Sequence, residues 1–274
     1  ALGYVVGGLV SHAWGWRAAF FVAGIPGLVL ALAALRVPDP PRVPEEAGAI
    51  APAPSIGTRP GMLAPLLQTL TLYGKLARQG SYTLTVLGYA AYTFAVGGLA
   101  YWMPTFLERA RNVPVSQATT GFGAIVVVTG FVGTFLGGWL GDYCLRYSRQ
   151  SYLWLSGLAT LVALPLTVAT LRSAAPATFY PALVAAELLL FMSTGPINSV
   201  IVGLVSPAQR ASAVALSVLA IHSLGDVISP PLIGALSDQT SLGAAVLLVP
   251  VAVAVSGLFW IAAAVHCRRQ GVQA

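Results

Sequence analysis

The sequence predicts an all-α membrane protein, and three observations support this. Hydrophobic residues make up 57% of the chain and Asp, Glu, Lys and Arg together only 8%, whereas charged residues make up about a quarter of an ordinary soluble domain. The mean hydropathy is +0.82. Apolar runs also recur that are long enough to cross ~30 Å of hydrocarbon as helices. Open strands are not expected, because sheet edges in lipid leave backbone groups without hydrogen bonds.

Seven full spans are predicted from these runs, at about 18–35, 81–107, 122–140, 151–171, 178–205, 212–236 and 243–265. A further apolar run at 1–10 is expected to be the end of another span. The chain starts inside this run, without an initiator Met or a cleavable signal pattern. We therefore expect a C-terminal fragment of a longer protein, whose N-terminal helices are partners missing from this sequence.

The positive charges predict which ends of the spans face the cytoplasm. The loops on one side hold ten Lys and Arg residues, namely Arg36, Arg42, Arg59, Lys75, Arg78, Arg146, Arg149, Arg210, Arg268 and Arg269. The opposite loops hold four, which are Arg17, Arg109, Arg111 and Arg172. Because cytoplasmic loops carry the excess of positive charge, the first set is predicted to be cytoplasmic. Membrane orientation then accounts for the net charge of +6, and nucleic acid binding is not expected.

A proline-rich stretch divides the chain. The segment "RVPDPPRVPEEAGAIAPAPSIGTRP" has too few large apolar residues to build a core. We predict the end of an N-terminal bundle at 1–35, a cytoplasmic linker at 36–80, a six-helix bundle at 81–265 and a cytoplasmic tail at 266–274. Apolar residues at helical spacing late in the linker predict a helix on the membrane surface, or one that another protein recognises: Leu66, Leu67, Leu70 and Tyr73.

One span carries an acid beside a pair of prolines. Pro230 and Pro231 lack the N–H groups that would bond carbonyls one turn earlier, so the helix is expected to break just after Asp226. Ser229 is predicted to be the N-cap of a second half-helix. His222 lies one turn before Asp226, within reach for a hydrogen bond or a proton relay. Broken helices are typical of transporter binding sites, but a purely structural role for either residue stays open.

A second acid, Glu187, lies deep in the preceding span. By helix rise, Glu187 and Asp226 lie at similar depths, so the two could share one cavity. Asn198 follows three helical turns after Glu187 and is predicted on the same face. Tyr92, in another span, is a further candidate for the cavity lining. We expect these residues to line a substrate or proton pathway, with hydrogen bonding inside the bundle and packing as the alternatives.

The stretch "GFVGTFLGGWLGDYCLRYSRQ" predicts a close helix contact followed by a charged cytoplasmic end. Its glycines at short spacing, including Gly138, allow a neighbouring helix to approach. Asp142, Arg146 and Arg149 follow, and an acid with two arginines could form a latch that closes the cytoplasmic mouth. The alternative is a simple positive-inside anchor, which explains the arginines but not the acid.

Several motifs resemble a known transporter family. "GGWLGD" with its downstream arginines resembles the loop motif of the major facilitator superfamily, and "GWRAAFFVAG" resembles the entry to its sixth helix. Three longer stretches resemble the spinster-like branch: "GLAYWMPTFLERA", "INSVIVGLVSPAQRASAVAL" and "HSLGDVISPPLIGALSD". The resemblance implies a 12-helix transporter of two six-helix bundles, of which this chain holds the end of helix 5 through helix 12.

The resemblance also implies a function. It is secondary transport by alternating access, coupled to protons, of a small amphipathic substrate such as a lysolipid or a sphingoid-type lipid. By motif, Asp226 belongs to the spinster-like pattern and Asp142 to the superfamily loop, while the main proton-coupling acid is expected in the first helix, outside this sequence. The implied location is the bacterial cytoplasmic membrane, with membrane lipids as partners and neither cofactor nor metal.

The sequence leaves other functions open. A major facilitator carrier for an organic anion or a drug-like compound is one alternative, and a non-transporting membrane scaffold is another. Ser217, His222 and Asp226 superficially supply the groups of a catalytic triad. An enzyme is nevertheless not expected, because neither a nucleophile turn nor a metal-binding helix motif is present in the sequence.

Overall fold

The computed structural model describes residues 13–37 and 63–271, together with Gly3, Val6, Gly7 and Val10. Within these residues the chain forms eleven α-helices: α1 (Trp16–Ala34), α2 (Leu63–Arg78), α3 (Gly80–Arg111), α4 (Val115–Cys144), α5 (Ser151–Arg172), α6 (Pro176–Phe191), α7 (Thr194–Gly203), α8 (Arg210–Ile221), α9 (Ser229–Gln239), α10 (Leu242–Ala245) and α11 (Leu248–Gln270). Most of the predicted partial span and the proline-rich part of the linker lie outside the described residues.

Seven helical segments are long and apolar enough to cross a membrane, and each coincides with a predicted span. Helices α1, α3, α4 and α5 are spans by themselves. The other three are composite, since α6 with α7, α8 with α9, and α10 with α11 each form one crossing. The sequence predicted an interruption only in the second of these, near Asp226; the joints between α6 and α7 and between α10 and α11 were not predicted.

The turn between α3 and α4 shows how local sequence ends a helix. Asn112 follows the last residue of α3 in the left-handed conformation, with φ of 55°. Its N–H group donates to the carbonyl of Glu108, which closes the helix end, and Asn tolerates this conformation better than most residues. Pro114 precedes the first residue of α4, where a missing N–H group costs nothing.

The core lies where α11 packs against α3 and against α5. The indole of Trp260 is fully buried and donates to the carbonyl of Thr85, at 3.1 Å. Gly88 leaves room for this indole, since a Cβ atom there would lie 2.6 Å from the ring. Helices α5 and α11 approach through Gly157 and Gly257, so small residues set the distance between the backbones.

Helix α2 packs on one end of the bundle. Leu76 is buried and Tyr73 packs against the core, whereas Leu70 is 55% exposed. Just after the helix, Nε2 of Gln79 donates to the carbonyl of Leu204, at 3.0 Å. The exposed apolar side chain of Leu70 is compatible with a location of α2 on the membrane surface. That location stays a prediction. Helix α1 has no buried residue among the described contacts.

Candidate functional site

The predicted helix break lies around His222 and Asp226. Residues His222–Asp226 form a π-type turn, in which the N–H group of Val227 donates to the carbonyl of His222, at 3.1 Å. The backbone remains helical through Ile228, and α9 starts at Ser229. The perturbation therefore begins one turn earlier than expected and widens the helix rather than opening it.

The prediction of Ser229 as an N-cap is wrong. Ile228 occupies that position with helical backbone angles, and Ser229 is the first residue of α9, with Pro230 and Pro231 next. The prolines occupy the first turn, where their missing N–H groups are tolerated. The hydroxyl of Ser229 is fully buried and has no hydrogen-bond partner within the described part of the chain.

Two glycines allow the π-type turn to lie directly on α3. A Cβ atom on Gly225 would come within 2.9 Å of the carbonyl oxygen of Ala90, and one on Gly97 within 2.7 Å of the Cβ atom of Asp226. Beyond the turn, Nε1 of Trp102 donates to the carbonyl of Pro230, at 3.1 Å. Helix α3 thus contacts the chain both just before and just after Asp226, and these contacts fix the position of the acid.

The side chains of His222 and Asp226 form a hydrogen-bonded pair that is open to the surroundings. Nδ1 of His222 lies 2.9 Å from Oδ2 of Asp226, and the two side chains are 55% and 35% exposed. A carboxylate facing lipid would cost about 2.5–3.5 kcal/mol on insertion scales. This face of the bundle is therefore expected to border water or further protein rather than hydrocarbon.

Asn198 and Tyr89 extend the polar surface of the bundle. Nδ2 of Asn198 donates to the phenol oxygen of Tyr89, at 3.3 Å, and to the carbonyl of Thr194, at 2.8 Å. The hydroxyls of Thr194 and Thr134, on α7 and α4, lie 3.0 Å apart. Asn198 and Thr134 are exposed in the described chain. Polar side chains from three spans thus share one connected set of hydrogen bonds.

Glu187 lies apart from this polar surface, in the interior. Its side chain is 5% exposed, and Oε2 accepts a hydrogen bond from the hydroxyl of Thr129 on α4, at 3.3 Å. The prediction that Asn198 shares the face of Glu187 is wrong, because the helix is interrupted between α6 and α7 and Asn198 is exposed. The structure also shows no hydrogen bond between Glu187 and Asp226 among the described residues.

Tyr92 lies between the two polar regions. Its ring is 4% exposed and packs on Tyr89 and Trp260, with centroid separations of 5.9 Å and 5.6 Å. The phenol is within electrostatic range of the Glu187 carboxyl group. Its hydroxyl is buried and has no hydrogen-bond partner in the described ranges. A buried unpaired hydroxyl is costly, and the place of Tyr92 in a substrate or proton pathway stays a prediction.

The charged motif after the glycine-rich stretch adopts a different arrangement from the predicted latch. Asp142 accepts a hydrogen bond from the hydroxyl of Tyr152, at 2.5 Å. The guanidinium of Arg146 lies over the ring of Tyr143, 5.1 Å from its centroid. Over residues 63–271, Asp142 makes no ion pair with Arg146 or Arg149. A latch would therefore need a partner elsewhere.

The close approach predicted for the glycine-rich helix involves some of its glycines and not others. A Cβ atom on Gly137 would overlap the carbonyl oxygen of Met192, and one on Gly133 would lie 2.6 Å from that of Leu188. Gly138 faces open space, so the prediction that it takes part in this approach is wrong. Gly138 points away from α6 because it lies 100° around the helix from Gly137.

Sequence reasoning missed Thr129, Thr134 and Trp102 as parts of the site. Thr129 and Thr134 are polar residues in the middle of an apolar span, which is a signal for helix contacts in membranes. Trp102 lies near the end of an apolar span, where an aromatic residue is typical of the membrane boundary. Its hydrogen bond to α9 depends on the tertiary fold.

Comparison with known proteins identifies the family. The sequence matches the Major Facilitator Superfamily over residues 1–230, and the chain belongs to this family. Among the solved structures, a bacterial homolog to the human lysosomal transporter Spinster, in an inward-facing and unoccupied conformation, matches with a TM-score of 0.61 at 20% identity. That match covers 97% of this chain and 64% of the other. The transporter FucP in the outward conformation gives a TM-score of 0.61 at 16% identity, over 91% and 55% of the two chains. The predicted fold class is confirmed.

Curated proteins similar to this chain include spinster proteins. The probable sphingolipid transporter spinster homolog 2 of Arabidopsis thaliana is 32% identical over 251 residues, which cover 88% of this chain and 49% of the relative. The sphingosine-1-phosphate transporter SPNS2 of Mus musculus is 32% identical over 294 residues, 96% of this chain and 51% of the relative. The chain spans about half the length of the curated relatives it matches. These names confirm the predicted resemblance and support the expectation that the chain is not an enzyme.

Proposed function

We propose that this chain forms part of a secondary transporter that moves a small amphipathic, lipid-like substrate across the membrane by alternating access. The observation that carries the proposal is the exposed His222–Asp226 pair at an interrupted helix of a major facilitator fold. An ionisable pair at membrane depth indicates a substrate or ion pathway. The names of the spinster relatives support a lipid substrate.

The chemistry around the pair fits a substrate with one polar and one apolar end. His222 and Asp226 together offer a donor and acceptors for a headgroup. On the same span, Leu219 lies about one turn before His222 and is 58% exposed. Polar and apolar side chains therefore lie beside each other on this helix face, as an amphipathic molecule requires.

We assign Glu187 a role in proton coupling as part of this proposal. The Thr129 hydroxyl lies 2.7 Å from the carbonyl of Ile125 and 3.3 Å from the Glu187 carboxyl group. A hydroxyl has a single proton to donate, so it cannot serve both acceptors fully. A protonated Glu187 could donate to the Thr129 oxygen instead, which gives the site two arrangements that differ by one proton.

The domain arrangement and location complete the proposal. Residues 1–35 would belong to an N-terminal bundle, and residues 81–265 form the C-terminal bundle whose polar face would meet it. Asp142 and the arginines near it would then find latch partners on the opposite bundle during part of the cycle. The membrane proposed is the bacterial cytoplasmic membrane, in a multi-pass arrangement supported by the seven candidate spans.

The test is substrate flux in proteoliposomes that contain the full-length transporter. Liposomes with a proton gradient would be given radiolabelled sphingosine, a lysophospholipid, or an organic anion, and uptake compared with protein-free liposomes. Uptake of the amphipathic lipids above background, increased by the gradient, is expected. Uptake of the organic anion alone would show that the substrate is an organic anion and not a lipid. A lack of flux with every compound would favour a membrane scaffold.

A further inference from the structure

A cleft of about 860 Å³ lies at the predicted cytoplasmic end of the bundle, away from the polar face described above. It is bounded by the loop between α4 and α5, the outer face of α5, and the C-terminal end of α11. It contains none of the residues assigned to the substrate pathway, and of the predicted latch motif it contains only Arg149. We propose that this cleft binds an anionic phospholipid of the cytoplasmic leaflet, as a resident lipid that is not transported.

The walls of the cleft match the depth of one leaflet. Leu155, Leu158 and Val162 follow each other along α5 on the cleft side. From Ser151 at the start of α5 to Val162 the helix rises about 16 Å, which is close to half of the ~30 Å hydrocarbon thickness. Leu158 and Val162 are 54% and 55% exposed, so the groove is open along its length. An acyl chain can lie against this wall while its headgroup stays at the membrane boundary.

The rim of the cleft carries positive charge. Arg149 in the loop and Arg268 at the end of α11 line it, and both are exposed. The lining includes no Asp or Glu. In the described ranges neither guanidinium forms an ion pair or a hydrogen bond. Basic pockets between helices on the cytoplasmic side recognise anionic headgroups, because the guanidinium group binds phosphate with two parallel hydrogen bonds.

Charge and shape together select the occupant. A neutral lipid would fill the apolar wall but leave two arginines without a counter-charge. A free phosphate would satisfy the arginines but leave the wall of α5 uncovered. An anionic phospholipid does both. The inference does not depend on the proposed transport function, since the cleft shares no side chain with the His222–Asp226 surface.

The first test compares two pairs of arginines. Arg149 and Arg268 line the cleft, whereas Arg146 and Arg269, close by in sequence, do not. The variants Arg149→Gln/Arg268→Gln and Arg146→Gln/Arg269→Gln remove the same charge. Native mass spectrometry of the full-length transporter would measure retention of phosphatidylglycerol. We expect about tenfold weaker retention in the first variant and a change below about twofold in the second. Equal losses in both would show unspecific charge attraction and overturn the proposal.

The second test uses the two cysteines of the chain. Cys144 lines the cleft and is partly exposed, whereas Cys267 is buried. With any cysteine outside this chain replaced by serine, maleimide labelling of Cys144 would be timed in nanodiscs of phosphatidylcholine, with and without phosphatidylglycerol. Slower labelling with the anionic lipid is expected. Equal rates would overturn the proposal, as would equal protection by inorganic phosphate or by sphingosine.

Discussion

Nδ1 of His222 lies 3.0 Å from one carboxylate oxygen of Asp226 and 2.9 Å from the other, so a single imidazole nitrogen faces both. When this nitrogen carries the proton, Nε2 becomes the ring atom available to a ligand. The geometry thus orients the histidine through the acid, and each residue should matter through the other.

Replacing either member of this pair should impair transport. For Asp226→Asn and His222→Gln, initial uptake rates in proteoliposomes should each fall about tenfold, equivalent to ~1.4 kcal/mol. The double variant should be no worse than the more impaired single one, because the two side chains act as a unit. The control is Asp238→Asn, since Asp238 is an exposed acid at the end of α9. Normal uptake by Asp226→Asn would remove the pair from the pathway.

Glu187 offers a test of coupling that is separate from substrate binding. Glu187→Gln keeps the size of the side chain and can still bond Thr129, so the protein should fold. Proton-driven accumulation should be lost, whereas exchange of labelled for unlabelled substrate should persist, because only the titratable group is removed. Glu108→Gln is the control, at the exposed end of α3. Accumulation by Glu187→Gln at the normal level would assign coupling elsewhere.

The adjacent glycines 137 and 138 should differ sharply in their tolerance of a methyl group. In Gly137→Ala the new Cβ atom would overlap the backbone of Met192, whereas in Gly138→Ala it would meet nothing within 4 Å. Overpacking costs about 1–3 kcal/mol, so the thermal unfolding midpoint in detergent should fall by several degrees for Gly137→Ala only. Similar midpoints for the two variants would contradict the observed contact of α4 with α6.

Trp102 should stabilise the second half of the interrupted helix. Trp102→Phe removes the hydrogen bond to the carbonyl of Pro230, which is expected to cost about 0.5–1.5 kcal/mol. The change would be measured as a lower unfolding midpoint. Tyr101→Phe is the control, because Tyr101 is adjacent and 62% exposed. An unchanged midpoint for Trp102→Phe would mean that packing, such as that of Ile233 on Gly98, holds α9 against α3 without this hydrogen bond.

Sequence reasoning located the spans well because length and hydropathy decide them. Each predicted span matches a helical segment. Prediction from sequence failed where the rotation of one helix against another decides which residues are in contact. Gly137 and Gly138 are chemically identical, and only the direction of α6 distinguishes them. The joint between α6 and α7, at Met192 and Ser193, was also missed, because it lies inside one long apolar run, and it places Asn198 away from Glu187.

The His222–Asp226 pair shows a similar limit of sequence-based prediction. The prolines indicated a disturbed helix near Asp226, and the contact of His222 with Asp226 followed from helical spacing. The π-type turn depends on Gly225 and Gly97 meeting α3, which is a tertiary contact. The identity of Ile228 as the N-cap likewise depends on the turn that precedes it. Similarly, the Thr129 partner of Glu187 belongs to another helix and has no signature in sequence.

The contact between α4 and α6 has a mechanical consequence. At Gly137 no side chain separates the two backbones, so the backbone of α4 lies in direct contact with that of Met192 at the end of α6. Sliding one helix along the other would require them to part first, which gives up the closest packing in the pair. In every conformation of the protein, α4 and α6 should therefore move as one rigid body. Spin labels placed on these two helices should keep a constant separation.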